Sequence, residues 1–122
     1  MARVYLDTNY FIDAIERQIN KNLFLSLSEH AIYVSTLSYH VFFYASKKRV
    51  PDEKIKGIEE ETEIVDFGKN ILEKALSGPT SDLEDNIQLH SAAEAECDYF
   101  LTLDKKLLSM KFFGKTRIIS NF

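Results

Sequence analysis

The sequence predicts an α/β fold in which a mostly parallel sheet of five strands lies between two layers of helices. Five short runs rich in Val, Ile, Tyr and Phe recur along the 122 residues, and stretches with helical periodicity separate them. The runs are continuously apolar rather than alternating, as in parallel strands that are buried on both faces. Strands that alternate with helices favour a three-layer α/β/α arrangement.

Each apolar run predicts one strand. The five predicted strands are Val4–Leu6, Ile32–Ser35, Glu63–Phe67, Tyr99–Thr102 and Arg117–Ser120. No internal repeat, low-complexity tract or Pro/Gly/Ser-rich linker divides the chain. We therefore expect a single domain over residues 1–122, because this length suits one hydrophobic core.

Seven helices are predicted around these strands: Tyr10–Gln18, Lys21–His30, Leu37–Lys48, Asp52–Glu60, Lys69–Ser77, Ser81–Cys97 and Lys105–Met110. Gly78 and Pro79 follow the fifth helix and are typical of a helix end. Ser81 has Glu84 three residues later, which is the capping-box pattern. This pattern predicts that Ser81 is the N-cap of the sixth helix.

Composition and charge limit the class of protein. No apolar run reaches the roughly 18 residues of a membrane-spanning helix, and the N-terminus has no secretory leader pattern. Cys97 is the only cysteine and has no partner for an internal disulfide, so we expect a cytoplasmic protein without membrane contact. The net charge of −4 argues against a broad basic surface for nucleic acid. It does not exclude a nuclease, because a bound metal reverses the charge of an acidic site.

Three aspartates are expected at one edge of the sheet. Asp7 directly follows the first strand, and Asp104 lies just beyond the end of the fourth. Ligands of open parallel sheets bind beyond the carboxyl ends of the strands. Asp85 lies at the start of the long sixth helix, which would enter the sheet from this edge. Asp82 lies one turn earlier on roughly the same helix face and is an alternative to Asp85.

Carboxylates that meet at one edge repel each other unless a cation lies between them. Oxygen ligands without a Cys or His cluster favour Mg²⁺ or Mn²⁺ over zinc. Each aspartate also has a purely structural interpretation. Asp7 and Asp104 are suited to cap helices, and Asp85 is a first-turn acid that complements the helix dipole. Both interpretations stay open for each residue alone.

Four segments carry a resemblance to a known family. They are Val4-Tyr5-Leu6-Asp7-Thr8-Asn9, Val34-Ser35-Thr36-Leu37-Ser38, Ser81-Asp82-Leu83-Glu84-Asp85-Asn86-Ile87 and Phe100-Leu101-Thr102-Leu103-Asp104. In order and spacing they resemble the PIN domain family, which includes the VapC-type toxins. The resemblance covers nearly the whole chain. It implies an α/β/α fold with strand order 3-2-1-4-5.

The resemblance also implies a function. It implies an endoribonuclease that depends on Mg²⁺ or Mn²⁺, often the toxin of a toxin–antitoxin pair and commonly a homodimer. The expected partners are therefore RNA, an antitoxin protein and a second copy of the chain. The residues that match the family's acidic positions are Asp7, Asp85 and Asp104. Those that match its supporting polar positions, expected to orient the carboxylates or bind water, are Thr8, Asn9 and Thr102.

One family feature is missing. The family usually has a glutamate in the helix after the second strand, and here that position falls at His40 or Val41. The imidazole of His40 is an alternative ligand that Mn²⁺ accepts better than Mg²⁺, or His40 packs within its helix. Asp82 is the other substitute. The sequence therefore leaves a second function open: a catalytically weak or inactive PIN-like module that binds RNA or a partner protein.

The first two predicted helices carry apolar side chains. These are Phe11, Ile15, Leu23, Phe24 and Leu27. If this face is exposed, it would suit a dimer partner or an antitoxin helix.

Overall fold

The computed structural model describes residues 1–16 and 28–121. Its strands are β1 (Arg3–Leu6), β2 (Ala31–Ser35), β3 (Glu63–Val65), β4 (Tyr99–Leu101), β5 (Phe112–Phe113) and β6 (Thr116–Ile119). Its helices are α1 (Thr8–Glu16), α2 (Thr36–Ala45), α3 (Glu53–Glu61), α4 (Lys69–Ala75), α5 (Leu83–Glu94) and α6 (Lys105–Met110). None of these helices combines the length and apolarity needed to cross a membrane. Most of the predicted helix Lys21–His30 lies outside the described residues.

The strands form a sheet in the order β3-β2-β1-β4-β6-β5. The fifth predicted strand corresponds to β6, so the predicted order 3-2-1-4-5 and the α/β fold are confirmed. All pairs among these five strands are parallel. The sequence pattern missed β5, which pairs antiparallel with β6. It has only two residues and forms through a tight turn at Gly114, whose φ of 60° lies in the left-handed region.

Strand β1 lies between β2 and β4, and its C-terminal end lies at the carboxyl edge of the sheet. Leu6 pairs with Leu101, so β1 and β4 end at the same height. The main-chain N–H of Asp7 continues this pairing and donates to the carbonyl oxygen of Leu101 at 3.0 Å. The residues that follow the two strands, Asp7 and Thr102, therefore lie side by side at the carboxyl edge of the sheet.

Two hydrophobic cores cover the two faces of the sheet. Val4 and Leu6 belong to the first core, whereas Tyr5 belongs to the second, as the alternation of a strand requires. The first core contains buried side chains of α1, α2 and α3, and the second contains those of α4, α5 and α6. Phe11 and Ile15 are buried in the first core, so they are not available to a partner. Leu23, Phe24 and Leu27 lie outside the described residues.

The start of α5 differs from the prediction. The N-cap is Asp82, whose Oδ1 accepts the N–H of Asp85 at 2.9 Å. The capping box of Ser81 and Glu84 is therefore wrong by one residue. Aspartate and serine cap helices equally well, so the local pattern fits either register. The register is set by the preceding loop, where the Oγ1 of Thr80 accepts the N–H of Asp82.

The loop before α5 is held by one buried side chain, Asn86. Its Oδ1 accepts the N–H and the hydroxyl of Thr80 at 2.9 and 2.7 Å. Its Nδ2 donates to the carbonyl oxygens of Ala75 and Thr80, both at 2.9 Å. These bonds join the end of α4 to the start of α5 and fix the turn that carries Asp85.

We expect Asn86→Ala to lower the free energy of unfolding by about 2 kcal/mol, because it removes four hydrogen bonds and leaves part-buried backbone groups of Thr80 without a partner. Urea unfolding followed by circular dichroism measures the change. The matched control is Ser109→Ala, since the Ser109 hydroxyl donates to a backbone carbonyl at an exposed site. Equal unfolding midpoints for Asn86→Ala and the control would contradict this role.

Candidate active site

Asp7 is the fixed centre of the carboxyl edge. Its side chain is only 7% exposed. The N–H of Thr8 donates to Oδ1 at 2.8 Å, and the hydroxyl of Thr102 donates to Oδ2 at 2.8 Å. One donor comes from each of the two chain segments that leave the sheet here. Each carboxylate oxygen retains a lone pair for a further ligand.

Thr102 connects Asp7 to Asp104. Its hydroxyl donates to Asp7 and accepts the N–H of Asp104 at 3.0 Å. Asp104 is the N-cap of α6, and its Oδ1 accepts the N–H groups of Lys106 and Leu107. Asp104 therefore has the structural role of a helix N-cap. Its other oxygen, Oδ2, accepts no hydrogen bond from the described part of the chain.

The first turn of α5 brings further carboxylates to the edge. Asp85 is half-buried there, whereas Asp82 and Glu84 are exposed. Asp82 is engaged as the N-cap. Glu84 is not among the predicted site residues, yet its charge acts on both Asp7 and Asp85. Sequence reasoning missed Glu84 because adjacent helix positions face different directions. In a first helical turn, however, all the side chains lie near the same end of the helix.

Burial and the repulsion of nearby charges raise the pKa values of Asp7 and Asp85. Desolvation raises the pKa of Asp7 to about 6, and the charges of Glu84 and Asp104 contribute. The hydrogen bonds from Thr102 and Thr8 oppose this rise in pKa without cancelling it. The pKa of Asp85 is also raised to about 6, first by desolvation and then by the charges of Asp82, Asp7, Asp104 and Glu84.

The donor set fits a hard divalent cation. The groups that interact are all carboxylates, and within the described ranges no Lys, Arg or His side chain forms an ion pair with them. Carboxylates whose repulsion has no protein counter-charge are stabilised by a cation. In the conformation described, no three His, Cys, Asp or Glu side chains of residues 1–16 and 28–121 converge closely enough to enclose a metal ion. Asp7 is fixed, while Asp104 lies at the exposed rim.

Three other predicted residues are placed as follows. Thr8 is buried behind Asp7, where its hydroxyl lies 2.9 Å from that of Ser38 on α2. Asn9 is exposed at the second position of α1, and no contact joins it to the carboxylates in the part of the chain that is described. His40 is exposed on α2, two residues beyond the inward-facing Ser38. This position lies on the far side of the helix from the site.

Comparison with known proteins identifies the fold and family. The family model for the PIN domain matches residues 4–112. The chain belongs to the PIN domain family. Among solved structures this PIN domain is similar to one described as VapBC2 from Rickettsia felis bound to a DNA fragment from their promoter. The TM-score is 0.68 with 17% identity, and the match covers 96% of this chain and 97% of that chain. A search of curated proteins finds no match.

The hydrogen bond from Thr102 in this PIN domain has a testable consequence. Thr102→Val keeps the shape of the buried side chain but removes the O–H donor to Asp7. Because this bond lowers the pKa of Asp7, we expect the variant to raise that pKa further above about 6. Carbon-13 NMR titration of the Asp7 carboxyl measures the shift. Thr116→Val is the control, since Thr116 is equally buried but bonds to the carbonyl of Cys97. An unchanged pKa in Thr102→Val would contradict the assignment.

Proposed function

We propose that this PIN domain is an endoribonuclease that depends on Mg²⁺ or Mn²⁺, with Asp7, Asp85 and Asp104 as its metal-binding and catalytic residues. The observation that carries the proposal is the group of mutually repelling carboxylates around a buried Asp7 at the carboxyl edge of the sheet. Membership of the PIN family supports it. Asp82 and Glu84 add negative charge at the rim.

A divalent cation at this site would supply positive charge for a phosphodiester and acidify a water molecule. The hydrogen bonds from Thr8 and Thr102 hold Asp7 in one orientation, which avoids reorganisation during the reaction. Above pH 6, Asp7 and Asp85 are mostly ionised, since each has a pKa of about 6, and can accept the proton of the attacking water. Water attacks phosphorus in line with O3′, the P–O3′ bond breaks, and the leaving O3′ takes up a proton from solvent. The products are a 5′-phosphate and a 3′-hydroxyl.

The chemical nature of the product ends tests this proposal. Labelled RNA is incubated with the protein and Mn²⁺ or Mg²⁺, with EDTA as the control. We expect fragments with 5′-phosphate and 3′-hydroxyl ends that disappear with EDTA. Fragments with 2′,3′-cyclic phosphate ends would contradict hydrolysis by water, because they require attack by the RNA 2′-hydroxyl.

The second candidate is a PIN-like module that binds RNA or a protein without cleaving RNA. The absence of an acid at the family's helix-glutamate position favours it, as does the exposed position of His40. RNA binding without cleavage in millimolar Mn²⁺ would support this module over the nuclease. Cleavage that requires Asp7 would exclude it.

We further propose that the chain forms one domain, acts in the cytoplasm as a toxin, pairs with an antitoxin protein and forms a homodimer. The likeness to the VapBC2 structure and the PIN family support these assignments. Light scattering tests the oligomer. A solution mass equal to the 14.1 kDa of one chain would contradict the homodimer.

A further inference from the structure

A chain of buried polar side chains lies behind Asp7. Its central member is Gln88 on α5, one turn after Asp85 and fully buried. The amide oxygen of Gln88 accepts the hydroxyl of Tyr5 at 2.5 Å and that of Ser38 at 3.4 Å. The Ser38 hydroxyl lies 2.9 Å from the Thr8 hydroxyl. The chain thus links α5, β1, α2 and the first residue of α1.

The direction of the hydrogen bonds in this chain follows from Gln88. An amide oxygen only accepts, so the Ser38 hydroxyl uses its proton toward Gln88. Thr8 then donates its hydroxyl proton to Ser38. The same Thr8 donates its main-chain N–H to Oδ1 of Asp7 at 2.8 Å. Gln88 therefore connects to the Asp7 carboxylate through two intermediate residues.

Stability alone does not account for Gln88. Its amide nitrogen is buried and has no hydrogen-bond partner within the described part of the chain. A buried donor without a partner is destabilising, and an apolar side chain of similar shape would avoid this cost. Its neighbours Ile87 and Leu89 are apolar members of the second core. A polar group held at a cost beneath a site indicates a role in that site.

We propose that Gln88 is a positioning residue for RNA hydrolysis, which acts through Ser38 and Thr8 to hold the Asp7 carboxylate. This inference rests on the proposed nuclease function. The hydrogen bond from the Thr8 N–H to Asp7 keeps its geometry because the Ser38 hydroxyl holds the Thr8 side chain. Gln88 provides that hold from the same helix that carries Asp85. Buried side chains thereby fix the positions of Asp7 and Asp85 relative to each other.

The test removes the Gln88 amide from this series of hydrogen bonds with as little change in side-chain shape as possible. Gln88→Met alone leaves the Tyr5 hydroxyl without an acceptor, so it is combined with Tyr5→Phe. Removing both partners of a buried hydrogen bond can be nearly neutral for stability. The stacking of the residue 5 ring on Phe100, at 5.4 Å between centroids, is kept in the double variant. Thr116→Val is the control, because the buried Thr116 hydroxyl donates to the carbonyl oxygen of Cys97, away from Gln88, Ser38 and Thr8.

Two readouts separate positioning from general stability. We expect the double variant to cleave RNA about 10-fold more slowly at saturating protein, with the half-saturating concentration changed less than about twofold. In the metal-free protein, we expect the Thr8 amide to exchange with solvent about 10-fold faster while core amides such as that of Phe100 are unchanged. Thr116→Val should behave as wild type in both.

Three results would overturn the positioning role: cleavage by the double variant at the wild-type rate, Thr8 exchange as in wild type, or equal acceleration of all core amides. If the double variant does not fold, Ser38→Ala alone breaks the path from Gln88 to Thr8, and the same criteria apply. A wild-type protein that cleaves no RNA would overturn the proposed nuclease function instead. Thr8 exchange in the metal-free protein would still test the role of Gln88.

Discussion

Asp7→Asn should lower the rate of RNA cleavage by at least about 100-fold while the fold is kept. Asparagine has the size of aspartate and can still accept the Thr8 N–H, but it has lost the negative charge at the centre of the edge. Single-turnover cleavage of a labelled RNA in Mn²⁺ at pH 7.5 measures the loss. Circular dichroism and the thermal midpoint check that the fold is intact.

The control for this variant is Asp98→Asn. Like Asp7, Asp98 accepts a backbone N–H, that of Arg3 at 2.8 Å, but it lies at the opposite edge of the sheet. Asp98→Asn should cleave RNA at the wild-type rate. Cleavage by Asp7→Asn at the rate of this control would contradict the proposed role of Asp7.

A second pair of variants distinguishes the role of metal ligand from the role of helix N-cap at the start of α5. Asp85→Asn removes a charge that is half-buried at the site, and its activity should fall in the same way as that of Asp7→Asn. Asp82→Asn keeps a good N-cap because asparagine caps helices as well as aspartate does. We expect Asp82→Asn to change the cleavage rate only a few-fold. The reverse order of effects would make Asp82 the ligand.

The second large effect concerns stability and pH in the metal-free protein. Asp7 has a folded-state pKa of about 6, whereas its ordinary value is 3.8. Between these values the folded state binds more protons than the unfolded state, so the contribution of Asp7 to stability falls as pH rises from about 4 to about 6. Asp7→Asn removes this loss. The variant should exceed wild type in stability by up to about 3 kcal/mol above pH 6 and by little near pH 4.

Urea unfolding of wild type and Asp7→Asn at pH 4.5, 5.5 and 7.5, in the presence of EDTA, measures this difference. Comparing the two proteins at each pH removes the contribution of the remaining carboxylates. Wild type more stable than Asp7→Asn at pH 7.5 without metal would contradict the picture of a destabilising carboxylate. With Mn²⁺ at about 100 times its Kd, wild type should gain about 2.7 kcal/mol, and the variant much less.

The pattern of the sequence was sufficient for the fold and for the position of Asp7. Parallel strands end at one edge, so a residue just beyond β1 or β4 can only lie there. The start of α5 was placed one residue too early, because the choice between Ser81 and Asp82 depends on how Asn86 binds the loop before it. No local pattern carries that tertiary contact.

Other features could not be predicted from the sequence for the same physical reason. Strand β5 has two residues, which is too short for any periodic signal. The sequence pattern does not decide whether Gln88 faces the core or the solvent. Only the packing of α5 against Tyr5 shows that Gln88 is buried. The interaction of Glu84 with Asp7 depends on distance across the mouth of the site rather than on separation along the chain.

The most direct test of the central claim is calorimetric titration of Mn²⁺ into the wild-type protein and into Asp7→Asn at pH 7.5. At this pH both Asp7 and Asp85 are ionised, since each has a pKa of about 6. We expect wild type to bind Mn²⁺ and Asp7→Asn to bind it at least about 10-fold more weakly. Equal affinity in the two proteins, or no binding to wild type at millimolar Mn²⁺, would contradict a metal site centred on Asp7.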